Sequence, residues 1–140
     1  MTINFTAAYS ALYARAASDS AGAAVRALVT GAGGSIFDAR GLGNLTGKTL
    51  PYLVWRSVTP DGQSEQMTNV NAGWYAYVAP TVNDRALTDI ATAVYALYSG
   101  ENRMAITGGK LFALSPRAPF FDDALGLRGI HVPIYWRALG

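Results

Sequence analysis

The chain contains no cysteine, which excludes disulfides, zinc–thiolate sites and a cysteine nucleophile. Histidine is almost as scarce, His131 being the single one. Charged residues reach only 14%, against about 25% in ordinary soluble domains. With 51% hydrophobic residues, the chain has little charge to cover its own surface and is expected to bury large areas, some against other subunits. Long apolar runs are lacking, none approaching the ~18 residues of a membrane span. No basic segment leads into an apolar core at the N-terminus, where Arg15 interrupts the pattern. No secretory signal is therefore expected, and a cytosolic product is the default. The net charge of +2 rests on nine scattered arginines with Lys48 and Lys110, without a basic run that would track phosphates. Dedicated nucleic-acid binding is not expected; Arg-lined contact with passing DNA stays open.

What is present fits one domain, residues 1–140. Thr2 can cap a helix from about Ile3 to Ala17, and Asp19 or Ser20 restarts a second with Val25, Leu28 and Val29 inward. A short strand is expected over Ser35–Arg40 and another over Tyr52–Val58. "TPDGQ" is turn chemistry, and a long strand from about Glu65 to Val78 returns antiparallel. Asn83 or Thr81 caps the strongest helix, in which Leu87, Ile90, Ala91, Val94, Leu97 and Tyr98 form one apolar stripe. "RMAIT" and "KLFALSPR" read as a small hairpin, "APFFDDALGL" as a loop, and "RGIHVPIYWRAL" as a last strand. The expected fold is α+β: a mainly antiparallel sheet of about four strands, helices packed on one face, plus the small hairpin.

"ALVTGAGGSIF", Ala27 to Phe37, looks like the phosphate-binding turn of a short-chain dehydrogenase. That site needs a strand before the glycines and a helix after them. Here an alanine-rich helical segment comes first and a strand follows. The carboxylate expected ~20 positions on is replaced by "LPYLVW", and no tyrosine stands four residues before Lys48 or Lys110. A helix end and turn is the better reading, and no cofactor is expected.

Nothing else forms a catalytic constellation. His131 has no serine or carboxylate near it in sequence, so a structural or interface role is favoured. Asp122–Asp123 lacks the spaced oxygen ligands of a calcium loop and reads as a turn or helix cap; Asp61 reads as a turn residue. No catalytic and no metal site is expected, and the chain is not read as an enzyme.

Aromatics carry more information. Trp74, Tyr75 and Tyr77 place large side chains on both faces of one strand, and Tyr135 and Trp136 do so on the last. Ile130, Val132, Ile134 and Trp136 share the opposite face from His131. The helix-free face must be covered, tolerated as a patch, or shared with a partner. Pro133 removes a ladder donor, so the last strand is expected at an edge or bulge.

Four segments in order, "SIFDAR", "LPYLVWRSV", "NAGWYAYVAPTVNDRALTDIATAVYALYSG" and "FFDDALGLRGIHVPIYWRA", resemble the tail-completion, or tail-terminator, proteins of long-tailed bacteriophages and gene-transfer particles. The resemblance covers most of the chain from Ser35 onward and rests on structural, not catalytic, motifs. It implies a ring, usually of six copies, that caps the head-proximal end of a tail tube and stops its growth. Implied partners are the chain itself, the tail-tube protein and a head-completion (neck) protein, with DNA only in transit and no membrane. The implied location is the virion neck, and the host cytoplasm during assembly. Candidate interface residues are Asp61, Gln63, Glu65 and Met67 in the polar loop, Tyr75, Tyr77, His131 and Tyr135 on the sheet, and Arg137. Alternatives are another neck, head-completion or tube subunit, a small nucleotide-binding enzyme, and a free-standing ligand-binding domain.

Overall fold

Asn83 starts the longest helix: its side-chain oxygen accepts from the Arg85 N–H at 3.1 Å, satisfying a donor that the first turn leaves open. The helix, α3, runs Asp84–Tyr98 and buries the predicted stripe of six residues. In this computed structural model, residues 5–38, 43–56, 72–106 and 109–138 are described. Two further helices precede it, α1 (Phe5–Ala17) and α2 (Ala23–Leu28). Val25 and Val29 of the second helical region are buried, whereas Leu28, expected inward, is 38% exposed.

The strands are β1 (Ser35–Asp38), β2 (Tyr52–Arg56), β3 (Gly73–Val78), β4 (Met104–Ile106), β5 (Gly109–Ala113), β6 (Phe120–Asp122) and β7 (Leu127–Ala138). They form one sheet in the order β1-β2-β3-β7-β5-β4, with β6 also paired to β7. Alternation along each strand sends Leu53, Trp55, Trp74, Ala76, Val78, Leu111, Ile130, Val132, Ile134 and Trp136 to the helix side, where they meet α1, α2 and α3 in the main core.

This architecture corrects the expected one. The class remains α+β, but the sheet is mixed, has seven strands among the described residues, and is curled into a half-barrel. β1 runs parallel to β2, Ser35 beside Tyr52. The connection 39–51 is long enough for the crossover of about a dozen residues that a parallel pair needs. "FFD" is a strand, not a loop, and the β4–β5 hairpin joins the main sheet through β7.

α1 lies within the curl, close to both ends of the sheet. Tyr13 Oη donates to the Ile36 carbonyl of β1 at 3.3 Å. Two residues on, Arg15 Nη1 donates to the carbonyls of Leu97 (2.8 Å) and Asn102 (2.6 Å), just before β4. The two outermost strands of the sheet thus flank one helix, which a flat sheet of that width could not allow. Inside, Trp74 Nε1 donates to Tyr98 Oη at 3.1 Å, and Tyr98 Oη donates to the Leu12 carbonyl at 2.7 Å. This buried relay ties the sheet to α3 and α1.

β7 is the central strand, not an edge. In an antiparallel ladder a residue's N–H and C=O face the same neighbour. The Pro133 carbonyl accepts from the Leu114 N–H at 2.9 Å, so the missing proline N–H falls beside segment 114–119, where β5 has ended and β6 has not begun. On the β3 side the Ile134 N–H donates to the Ala72 carbonyl at 3.0 Å. The proline therefore sits where the ladder is already interrupted, and β7 is spared a lost bond.

Candidate interaction surface

The same alternation builds the opposite face of the sheet. Phe37, Tyr52, Val54, Tyr77 and Leu127 form a second, smaller core there, against which Leu45, Leu50, Phe120 and Leu125 pack. Tyr77 is fully buried. Its hydroxyl accepts from Arg56 Nη1 at 2.7 Å and donates to Asp122 Oδ2 at 3.3 Å, and burial pushes its pKa up to about 12. Asp122 is the last residue of β6 and half-buried, not a solvated turn residue; its Oδ1 accepts from the Leu125 N–H at 3.1 Å and so holds the turn that follows. Among the described residues no group of three His, Asp or Glu could hold a metal ion.

Further along β7 the face changes character. Tyr75 lies flat against His131, ring centroids 4.1 Å apart and 8° from parallel, with the Arg56 guanidinium 4.9 Å from the Tyr75 ring. Burial holds the His131 pKa down at about 4 against the opposing pull of the Ala72 backbone, and the charges of Arg117 and Arg56 add to the lowering. His131 Nε2 is buried without a hydrogen-bond partner in the structure. Two same-face positions on, past Pro133, Phe112 and Tyr135 sit opposite each other in the ladder with near-parallel rings 6.1 Å apart, and Arg103 lies over the Phe112 ring at 5.5 Å. At the end of the strand pair, Lys110 of β5 is directly opposite Arg137 of β7, and both are exposed.

A different surface lies on the helix side. Leu28, Val82, Ala86, Leu50, Pro51 and Val78 line an apolar groove of about 340 Å³. Leu28 and Val82, with Phe121 on β6, are the exposed large apolar side chains among the described residues. Val78, Arg128 and Phe121 occupy one row across β3, β7 and β6. Arg128 donates to both carboxylate oxygens of Asp84 (2.8 and 2.9 Å), so an ion pair separates groove from Phe121.

The glycine-rich stretch does the work of a turn. α2 ends, a 3-10 turn covers Thr30–Ala32, and Gly33 takes a left-handed φ of +87°. Gly34 N–H donates to Val29 O at 2.8 Å, and Ser35 N–H to Pro51 O at 3.0 Å, which starts the β1–β2 pair. A side chain at Gly34 would collide with the Pro51 carbonyl. The glycines thus follow a helix and precede a strand, the reverse of the order a dinucleotide site requires.

No family model matches the chain, and no curated protein or solved structure matches it either. No described helix is long and apolar enough to cross a membrane.

Of the predicted interface residues, Asp61, Gln63, Glu65 and Met67 lie outside the described residues. Tyr75 and His131 are brought together, half-buried; Tyr77 and Tyr135 are buried within the subunit; Arg137 is exposed. Sequence reasoning missed Arg56, Arg103, Lys110, Phe112 and Arg117. Only the β5–β7 register shows that the alternation in "KLFA" puts Lys110 and Phe112 beside Arg137 and Tyr135.

Proposed function

We propose that this chain is a structural subunit of a phage-type tail: a tail terminator whose copies close into a ring, usually of six, at the head-proximal end of the tube. The ring would stop tube growth and present a surface to a neck protein, without turnover. Its place would be the virion neck. The resemblance of the four segments motivates the reading. The observation that carries it is the pair of unlike apolar features on one small chain, a groove containing Leu28 and Val82 and a separate projecting Phe121. A closed ring uses heterologous contacts, one patch of each copy meeting a different patch on the next. Insertion of Phe121 of one copy into the groove of its neighbour is such a contact.

Light scattering coupled to size exclusion, followed by negative-stain imaging, tests this. The expected result is a concentration-dependent oligomer that images as a ring with a central opening. A chain that stays monomeric across the accessible concentration range overturns the reading.

A further inference from the structure

We infer that the helix-free face of β3, β7 and β5 binds the phosphate backbone of duplex DNA. This goes beyond the ring reading and does not require it. The sequence shows no basic run, but the topology assembles one. Arg56 and Arg117 stand near His131, Arg103 lies over Phe112, and Lys110 faces Arg137. From residue 131 to 137 this covers about 20 Å of strand, at ~3.4 Å per residue. Asp122 is already engaged by Arg56 and Tyr77, and Glu101 lies near Arg103 at the helix-side pocket that both line. No described carboxylate lies within ion-pair distance of Lys110, Arg117 or Arg137. The helix side differs: Arg128 is matched by Asp84, and Arg15 and Arg26 are bound to helix carbonyls.

Like charges directly opposite each other on adjacent strands are destabilising. The Lys110–Arg137 pair is therefore a local cost that an anion at the surface would remove. The chemistry of the face selects the kind of anion. A protein partner is held by an exposed apolar centre, yet the exposed large apolar side chains, Leu28, Val82 and Phe121, belong to the other surface. The rings on this face already carry partners, His131 and Arg56 on Tyr75 and Arg103 on Phe112, while Tyr135 is buried, which leaves little ring surface for unpaired bases. What remains outward is a line of guanidinium and ammonium groups, which suits the continuous, sequence-independent charge of a duplex.

The test is fluorescence anisotropy of a labelled duplex of arbitrary sequence with the full chain. Affinity should fall about 10²–10³-fold between about 50 and 200 mM salt if roughly five phosphates are contacted. Lys110→Ala and Arg137→Ala should each weaken binding several-fold and reduce the salt slope by about one. Arg85→Ala, which removes the same charge from the exposed helix side, should leave both unchanged. Circular dichroism keeps loss of folding apart from loss of binding. Absence of binding at low salt overturns the proposal, as does equal weakening by Arg85→Ala. Competition by poly-glutamate as effective, per charge, as unlabelled duplex overturns the DNA assignment in favour of an acidic protein surface. A monomer that binds DNA would end the ring reading and leave this one standing.

Discussion

The His131 imidazole lies face to face on the Tyr75 ring at 4.1 Å, with the Arg56 guanidinium over the same Tyr75 ring. The imidazole is kept neutral first by burial, which penalises its charged form, and the cations Arg117 and Arg56 add to the effect. The folded pKa of about 4 lies below the ordinary 6.5, so between these values the unfolded chain binds more protons. The resulting stability is fully present above pH 6.5 and is lost as the pH falls towards 4. After discounting for solvent screening of a half-buried group, the effect is roughly 1–2 kcal/mol. Urea midpoints measured at pH 7 and at pH 4.5 should differ less in His131→Gln than in the parent. Parallel pH profiles for the two proteins would refute the assignment.

Tyr98 offers a sharper test of the core. Its hydroxyl satisfies Trp74 Nε1 and reaches the Leu12 carbonyl from a fully buried position. Tyr98→Phe keeps the ring but orphans a buried indole N–H, at a cost of about 1–3 kcal/mol. The melting temperature should drop by roughly 3–10 °C, while Tyr95→Phe, at a half-buried ring on the same helix, should move it far less. A drop no larger in Tyr98→Phe would show that the relay contributes nothing.

The sequence was legible where a single element carries its own signal. The α3 stripe, its Asn83 cap and the helix-facing residues of β7 all follow from periodicity and capping. Pairing was not legible. Nothing local in "SIFD" says parallel, and Phe120 reads as a loop residue until Gly129 lies opposite it. Pro133 misled because its rule, that the strand lacks a neighbour on that side, is satisfied by a gap of a few residues beside a central strand. The basic face was invisible for the same reason: its charges come from five separate stretches of chain, and only the fold brings them together.

Two glycines of "GAGG", with Gly43 of the following loop as a reference, provide a graded series. Gly34→Ala places a methyl group against the Pro51 and Val29 carbonyls, where the backbone itself must shift. This should cost more than ~2 kcal/mol, as other forced backbone changes do. Gly33→Ala meets open space but forces a left-handed φ on alanine, for about 1 kcal/mol. Gly43→Ala meets open space without that strain and should be within ~0.5 kcal/mol of the parent. Denaturant midpoints should therefore rank Gly43→Ala, Gly33→Ala, Gly34→Ala from most to least stable. Any other order would mean that this turn is not governed by backbone geometry.

Phe121 and Val82 separate assembly from folding. Both are exposed in the isolated subunit, at 49% and 41%, so Phe121→Ser and Val82→Ser should change stability by no more than about 0.5 kcal/mol. If Phe121 seats in the groove of the next copy, each substitution removes part of one contact, and in a ring that contact recurs at every junction. An anchor worth about 2 kcal/mol corresponds to a roughly thirtyfold weaker junction. Light scattering should then show the oligomer receding to monomer for both variants at concentrations where the parent is assembled, with unchanged melting temperatures. The two effects should also fail to add in the double variant, because either change alone already breaks the same contact. Full additivity would place Phe121 and Val82 in separate interfaces, and the proposed junction would have to be abandoned.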